Sequence, residues 1–157
     1  MAIEVERKFL VKGDYKEFVI KKEEIVQGFL STVPERTVRV RIKKDKAFLT
    51  IKGIGNKKGT TRYEFEKEID IDDAKDLLKI CEKGVIEKIR HIIPIENDLF
   101  FEVDEFYGDN EGLILAEIEL PTENAKFEKP DWLGEEVTGD KRYYNSVLKK
   151  NPYKNWK

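Results

Sequence analysis

The chain has 157 residues, enough for one domain with a sizeable core, and 39% of them are charged. Its 32 acids nearly cancel its 30 bases, leaving a net charge of −2. That balance excludes a broadly basic nucleic-acid or membrane-binding surface while leaving room for a local basic patch. The single Cys81 excludes an internal disulfide and any multi-cysteine metal site, and fits a reducing compartment. No long apolar run or signal-like segment follows Met1. The expectation is therefore a soluble, cytoplasmic protein with one domain over residues 1–157.

In chain order, Ile3–Val11 reads as a strand, broken by Gly13, after which Asp14 can cap a short helix through Tyr15, Phe18 and Val19. Strands are expected at residues 25–32, 37–44 and 46–54, with Lys44-Asp45-Lys46 as a tight hairpin turn. Residues 53–59 form a polar loop containing Gly53, Gly55 and Gly59. Thr61–Ile69 is a further strand. Asp72 or Asp73 then starts a helix with Ala74, Leu77, Leu78 and Cys81 on its apolar face, ended by Gly84. Three more strands follow at 85–95, 99–106 and 113–120. A helix is expected over 123–128 and irregular chain from Pro130 to Gly134. A last helix over 141–149 starts from Thr138 or Asp140 and stops before Pro152. No linker, repeat or low-complexity segment interrupts this one β-rich domain.

Every strand carries a charged side. Side chains alternate faces along a strand, so Glu4, Glu6 and Lys8 project together, about 6–7 Å apart. Arg39, Arg41 and Lys43 oppose Val38, Val40 and Ile42. Phe48, Thr50 and Lys52 oppose Ala47, Leu49 and Ile51. Arg62, Glu64, Glu66 and Glu68 oppose Tyr63, Phe65 and Ile69, with Lys67 the exception. Lys88 and Arg90 share a face, as do Glu102 with Asp104 and Glu117 with Glu119. One explanation is an antiparallel sheet with its charged face in water and cross-strand ion pairs upon it. The other closes eight strands into a barrel with the charges inside, where a polyanion and divalent cations supply the missing partners. Periodicity does not choose between them.

The opening Glu4-x-Glu6-x-Lys8 resembles the hallmark of the CYTH family, the triphosphate tunnel metalloenzymes. The likeness continues through Gln27-Gly28-Phe29-Leu30, Arg39-x-Arg41, Thr50-x-Lys52, Arg62-x-Glu64 and Lys88-x-Arg90. It then runs through Val103-Asp104-Glu105-Phe106, Gly112-Leu113 and Ala116-Glu117-Ile118-Glu119. It ends with Glu136-Val137-Thr138, Asp140, Arg142-Tyr143 and Asn145. It spans essentially the whole chain in order. The resemblance implies an α+β fold, an eight-stranded antiparallel closed β-barrel, or tunnel, with flanking helices. It also implies a small-molecule triphosphate substrate bound there with Mg2+ or Mn2+, and no nucleic-acid or membrane partner. By position it implies Lys8, Arg39, Arg41, Lys52, Arg62, Lys88 and Arg90 as the phosphate cradle. Glu4, Glu6, Glu117 and Glu119 would be metal ligands, with Glu64, Glu102 and Asp104 in support. Arginine forks and lysine ammonium groups suit phosphate oxygens, and hard carboxylate oxygens suit those cations.

The activity expected from the resemblance is metal-dependent hydrolysis of inorganic tripolyphosphate to pyrophosphate and phosphate, with Glu6 or Lys88 acting at the attacking water. An adenylate cyclase or a thiamine or nucleoside triphosphatase on the same scaffold is the alternative, followed by a non-catalytic polyphosphate- or nucleotide-binding module. A cyclase would convert ATP to cyclic AMP, and a pure binding module would show no turnover. Other residues are read as structural. His91, next to Arg90, points away from the charged face, and Cys81 belongs to the core. Trp132 and Trp156 anchor the C-terminal segment, and Arg142 and Tyr143 fasten the last helix to the barrel. Arg7 pairs on the outside. Gly53-x-Gly55 lacks the Gly-Lys-Ser/Thr of a P-loop, and Lys57 and Lys58 sit in a solvated turn.

Overall fold

A computed structural model of the chain describes residues 3–156; residues 1, 2 and 157 of the expected domain lie outside them. The strands are β1 (Ile3–Val11), β2 (Lys21–Ser31), β3 (Thr37–Lys43), β4 (Lys46–Lys52), β5 (Thr61–Ile69), β6 (Ile86–Pro94), β7 (Phe100–Phe106), β8 (Ile114–Glu119) and β9 (Leu133–Glu136). Helix α1 is Ile71–Lys79 and helix α2 is Asn145–Leu148. All strand pairings are antiparallel, in the order β5-β4-β3-β2-β6-β7-β8-β1, and a β1–β5 pairing closes the eight strands into a barrel.

Closure depends on both edges of β1. Its first residues pair with β5, Ile3 to Tyr63 and Val5 to Thr61, while Glu6 to Leu10 pair with β8. Beyond β5, the free edge of β1 is covered by β9, which pairs Phe9 with Glu136 and Val11 with Leu133. Gly134 allows that approach, because a Cβ there would stand 2.9 Å from the Leu10 carbonyl oxygen.

The aliphatic sides of the strands face outward into two cores. Phe9, Phe101, Val103, Ala116 and Ile118 pack beneath Tyr15, Trp132 and Leu133, while Val40 and Ala47 pack beneath Ala74 of α1. A third core lies on the inward faces at one end. There Phe29, Ile86, Phe106 and Leu115 meet Tyr143 and Leu148 of the C-terminal segment and close the barrel with apolar side chains. The other two cores leave the middle of the lumen to the charged side chains. Among the described residues no helix is long and apolar enough to cross a membrane.

Several local expectations are corrected. Strand β2 starts four residues before the expected Ile25, because β6 claims the backbone of polar Lys21–Glu24 through pairings such as Glu23 with Arg90. Helix α1 is capped by Asp70, whose carboxylate accepts from the Asp72 N–H at 2.8 Å, not by Asp72 or Asp73. It ends at Lys79; Gly84, with φ of 96°, turns the chain later, against the backbone of Lys149. Residues 123–128 form no helix. Ala125 and Phe127 turn inward while Lys126 and Glu128 stay exposed, a period of two set by Phe127 stacking edge-on against Phe9 and Phe101. The helix expected over 141–149 is broken at Tyr144, whose ψ is 133°, into a single 3₁₀ turn (Lys141–Tyr143) capped by Asp140 and the short α2. Near the N-terminus the chain makes only another such turn, Lys16–Phe18, with Tyr15 at its cap position and Asp14 accepting from the Lys16 N–H at 3.0 Å just ahead of it.

A charged tunnel as the candidate active site

Register turns the strand alternation into a three-dimensional site. Directly opposed residues share a face, and the pairings set Glu4 opposite Arg62, Lys8 opposite Glu117, Lys52 opposite Glu64 and Arg90 opposite Asp104. All these faces look inward. The lumen encloses a cavity of about 260 Å³ whose wall includes Glu4, Glu6, Lys8, Arg39, Arg41, Lys52, Arg62, Glu64, Lys88, Arg90, Glu102, Glu117 and Glu119. Every expected site residue except Asp104 therefore lines one cavity. Asp104 lies beneath it, 1% exposed, and takes a bidentate pair of hydrogen bonds from Arg90 at 2.8 and 2.9 Å and an ion pair from Lys88 at 2.8 Å.

The basic sector is short of negative charge. Arg39 and Arg41 reach Glu66 at 3.8 and 3.3 Å, and the Nε of each is buried with no hydrogen-bond acceptor among the described residues. Burial, with the nearby Arg41 and Arg90 guanidinium groups, brings Arg39 down to about 10. Arg41 is lowered by burial and by Arg90. Burial also lowers Lys88, to about 8, although Asp104 pulls it back upward. Arg90 alone is well compensated: burial works against its charge, but Asp104 and Glu102 outweigh it and raise its pKa.

The acidic sector has the opposite deficit. Glu6 is paired across the strands with Glu119, and burial together with Glu117 and Glu4 pushes its carboxyl up to about 8. Glu119 and Glu64 are raised by burial and by the Glu4 carboxylate. Burial works to raise Glu117 as well, but Lys8, Arg90 and Lys88 overcome it and hold it below the ordinary range. Glu6 and Glu117 are close, buried carboxylates, so their titration belongs to the pair. Glu4 is opposed by burial and held low by Lys52, whose ammonium donates to both its oxygens at 3.0 Å. Clustered hard oxygen donors lacking positive charge suit a divalent cation of the magnesium or manganese kind. Among the described residues no three such donors converge ready-made around one point.

Eight wall residues carry no assigned role in the sequence analysis: Phe29, Thr37, Lys43, Thr50 and Glu66 on inward strand faces, and Tyr144, Asn145 and Ser146 of the C-terminal segment. Glu66 shares the parity of Glu64 on β5, so alternation alone contains it. The last three enter only because the chain breaks at Tyr144 and turns across the closed end, which no periodicity signals. The Tyr144 ring lies 5.2 Å from the Lys8 ammonium and 5.8 Å from the Arg62 guanidinium. The residues read as structural stay away from the cavity. His91 is buried outside the barrel, with Nδ1 3.0 Å from the Val103 carbonyl and its ring against Tyr15. Arg7 pairs with Glu136 at 2.6 Å. Trp132 packs on Phe101, and Trp156 on Tyr143 and Tyr153. Arg142 is exposed, bonds Asp140 at 2.7 Å and lies over the Tyr143 and Trp156 rings at 5.4 and 5.5 Å, within the C-terminal segment, while buried Tyr143 anchors that segment in the end core. Cys81 is a half-buried free thiol beyond the end of α1.

A closed antiparallel barrel, sealed by apolar side chains at one end and ionic throughout its lumen, defines a tunnel protein for a small, highly charged ligand. The chain belongs to the CYTH domain family, whose model matches residues 2–146. It is similar to an inorganic triphosphatase of Acetivibrio thermocellus, 51% identical over 100% of this chain and 99% of that protein. An inorganic triphosphatase of Nitrosomonas europaea is 36% identical over 92% of this chain and 95% of its own length. A crystal structure of an inorganic triphosphatase superimposes with a TM-score of 0.66 at 34% identity, covering 92% of this chain and 96% of that one.

Proposed function

We propose that the chain hydrolyses inorganic tripolyphosphate to pyrophosphate and phosphate within the tunnel, with magnesium or manganese held by Glu4, Glu6, Glu117 and Glu119. The observation that carries this reading is the pair of buried, unpartnered Nε–H donors on Arg39 and Arg41, crowded against Arg90 in the lumen. A condensed phosphate supplies their acceptors, and its cation supplies the charge that Glu6 and Glu119 lack. When bound, the cation offsets phosphate charge and makes the attacking water more acidic.

The chain's own groups do the rest. Lys8, Arg39, Arg41, Lys52, Arg62 and Arg90 hold the anion in line and stabilise the oxygens that gain charge during transfer. Lys88, with a pKa near 8, and Glu6 are the groups we assign to proton movement beside the reacting water and the departing oxygen. Glu64, Glu102 and Asp104 orient Lys52, Arg90 and Lys88. The wall offers little to a nucleoside. Its two aromatic residues are Phe29, buried in the end core, and Tyr144, flanked by Lys8 and Arg62. A free thiol and a simple anionic substrate suit a cytoplasmic enzyme acting as one unit over 1–157.

Phosphate release is the test, run on tripolyphosphate, pyrophosphate, ATP and thiamine triphosphate with magnesium, manganese and calcium in turn. Tripolyphosphate is expected to be the preferred substrate. Cyclic AMP from ATP, or binding without turnover under every cation, would overturn the reading. Arg41→Ala is expected to lower kcat/KM for tripolyphosphate by roughly 30- to 1000-fold, the ~2–4 kcal/mol of a buried charge partner. Unaltered kinetics would remove Arg41 from the cradle.

A further inference from the structure

Asn145 stands where the C-terminal segment crosses the closed end of the tunnel, and two donors converge on one atom of its side chain. Gln27 Nε2 donates to Asn145 Oδ1 at 2.7 Å, and Lys88 Nζ donates to the same oxygen at 2.9 Å. A lysine ammonium can only donate, so the shared atom must be the amide oxygen, and Gln27 must turn its nitrogen towards it. Gln27 is 0% exposed, and its own Oε1 has no partner in this arrangement, so its orientation serves Asn145 rather than itself. Fixing the oxygen of a planar amide fixes the nitrogen too. Among the described residues Asn145 Nδ2 donates no hydrogen bond, while Asn145 itself lines the cavity beside Lys88.

We propose that Asn145 is a substrate-binding residue, whose side-chain amide nitrogen donates to the phosphoryl group lodged at the closed end of the tunnel while its oxygen positions Lys88. The inference rests on the triphosphatase reading and deepens it, giving that terminal phosphoryl group a neutral, directional donor among point charges. Lys88 holds the same end through charge and is itself fixed from two sides, by Asp104 at 2.8 Å and by Asn145. Charge attracts a phosphate from many directions; a planar N–H donates only to a correctly placed oxygen, which is how it fixes register. The break at Tyr144 is what carries Asn145 there, since a helix continuing through 141–149 would have no reason to present it to Lys88 and Gln27.

The test compares Asn145→Asp with Asn145→Ala by steady-state kinetics on tripolyphosphate with magnesium, alongside thermal unfolding. Aspartate keeps an oxygen for both Lys88 and Gln27 but replaces the donor with an acceptor that repels phosphate. The proposal expects Asn145→Asp to raise KM at least tenfold with an unfolding midpoint at or above wild type, and Asn145→Ala to raise KM less. A purely structural Asn145 gives the reverse order, with alanine the worse variant and aspartate within about twofold of wild type, and that result overturns the proposal. If the aspartate variant does not fold, an unchanged KM in the alanine variant overturns it equally. Wild-type protein that releases no phosphate from tripolyphosphate overturns the triphosphatase reading itself, and this inference with it.

Discussion

Replacing Glu4 and Glu6 together with glutamine is expected to abolish cation-dependent phosphate release and to leave the barrel folded. Glutamine retains the shape of both side chains and removes two of the four carboxylates proposed to bind the cation. Glu4 is also the carboxylate that Lys52 grips with both oxygens at 3.0 Å, so the double variant frees Lys52 as well. The Glu6 change carries a stability signature of its own. Its pKa is raised in the folded protein to about 8 by burial, Glu117 and Glu4, above its ordinary 4.5. Between those values the folded state holds a proton that the unfolded state has released, so stability falls as pH rises through that window. Glu6→Gln is therefore expected to match wild type near pH 4.5 and to exceed it progressively up to about pH 8, by at most about 5 kcal/mol. Urea unfolding without divalent cations at pH 5 and pH 8.5 reads the difference. Equal stabilities at both pH values would show that Glu6 is not crowded by its neighbours, and unchanged turnover in the double variant would remove the cation role.

Asp104→Ala is expected to destabilise the fold more than any single change in the cavity wall, by about 3–5 kcal/mol. The reason is the state of its partners. Arg90 and Lys88 are both buried, and Asp104 receives 2.8–2.9 Å contacts from the two of them. Removing it leaves two cations facing Arg39 and Arg41 without their main compensation. Asp104 is also what holds Lys88 up against burial, so its removal lowers the lysine pKa further. Asp104→Asn, which keeps the shape and some hydrogen bonding, is expected to lie between. Denaturant unfolding provides the measurement, and a loss below about 1 kcal/mol for the alanine variant would mean that the lumen compensates these cations in another way.

The strands and their inner faces were largely legible because a period of two is local information. Glu4-x-Glu6-x-Lys8, Arg39-x-Arg41 and Lys88-x-Arg90 each announce a face before any partner strand is known. Whether those faces met water or one another was not legible, since closure depends on the second edge of Ile3–Val5 pairing with β5 while the first stays with the β8 side, a contact written in no single strand. The likeness to a known family supplied what periodicity lacked. The segment after Pro121 defeated local reading for a related reason. Residues 123–128 have helix-compatible composition, yet Ala125 and Phe127 are drawn inward by packing on the outer core, and tertiary contact overrides propensity. Strand β9 is four residues with a glycine and two glutamates, and it exists because β1 offers an edge. The same dependence on context hid Asn145, which becomes a wall residue only after the chain breaks at Tyr144.

The central claim is that inward-facing carboxylates and guanidinium groups enclose a condensed phosphate together with its cation. A crystal structure of the wild-type protein with magnesium and tripolyphosphate tests it most directly, with a non-hydrolysable imido analogue of tripolyphosphate in its place if turnover must be prevented. The anion is expected inside the barrel, in contact with Arg39, Arg41 and Arg90, with one end phosphoryl group towards Lys88 and Asn145. Tripolyphosphate bound to the outer wall of the barrel, or absent from the lumen at saturating concentration in wild-type protein, would contradict the account.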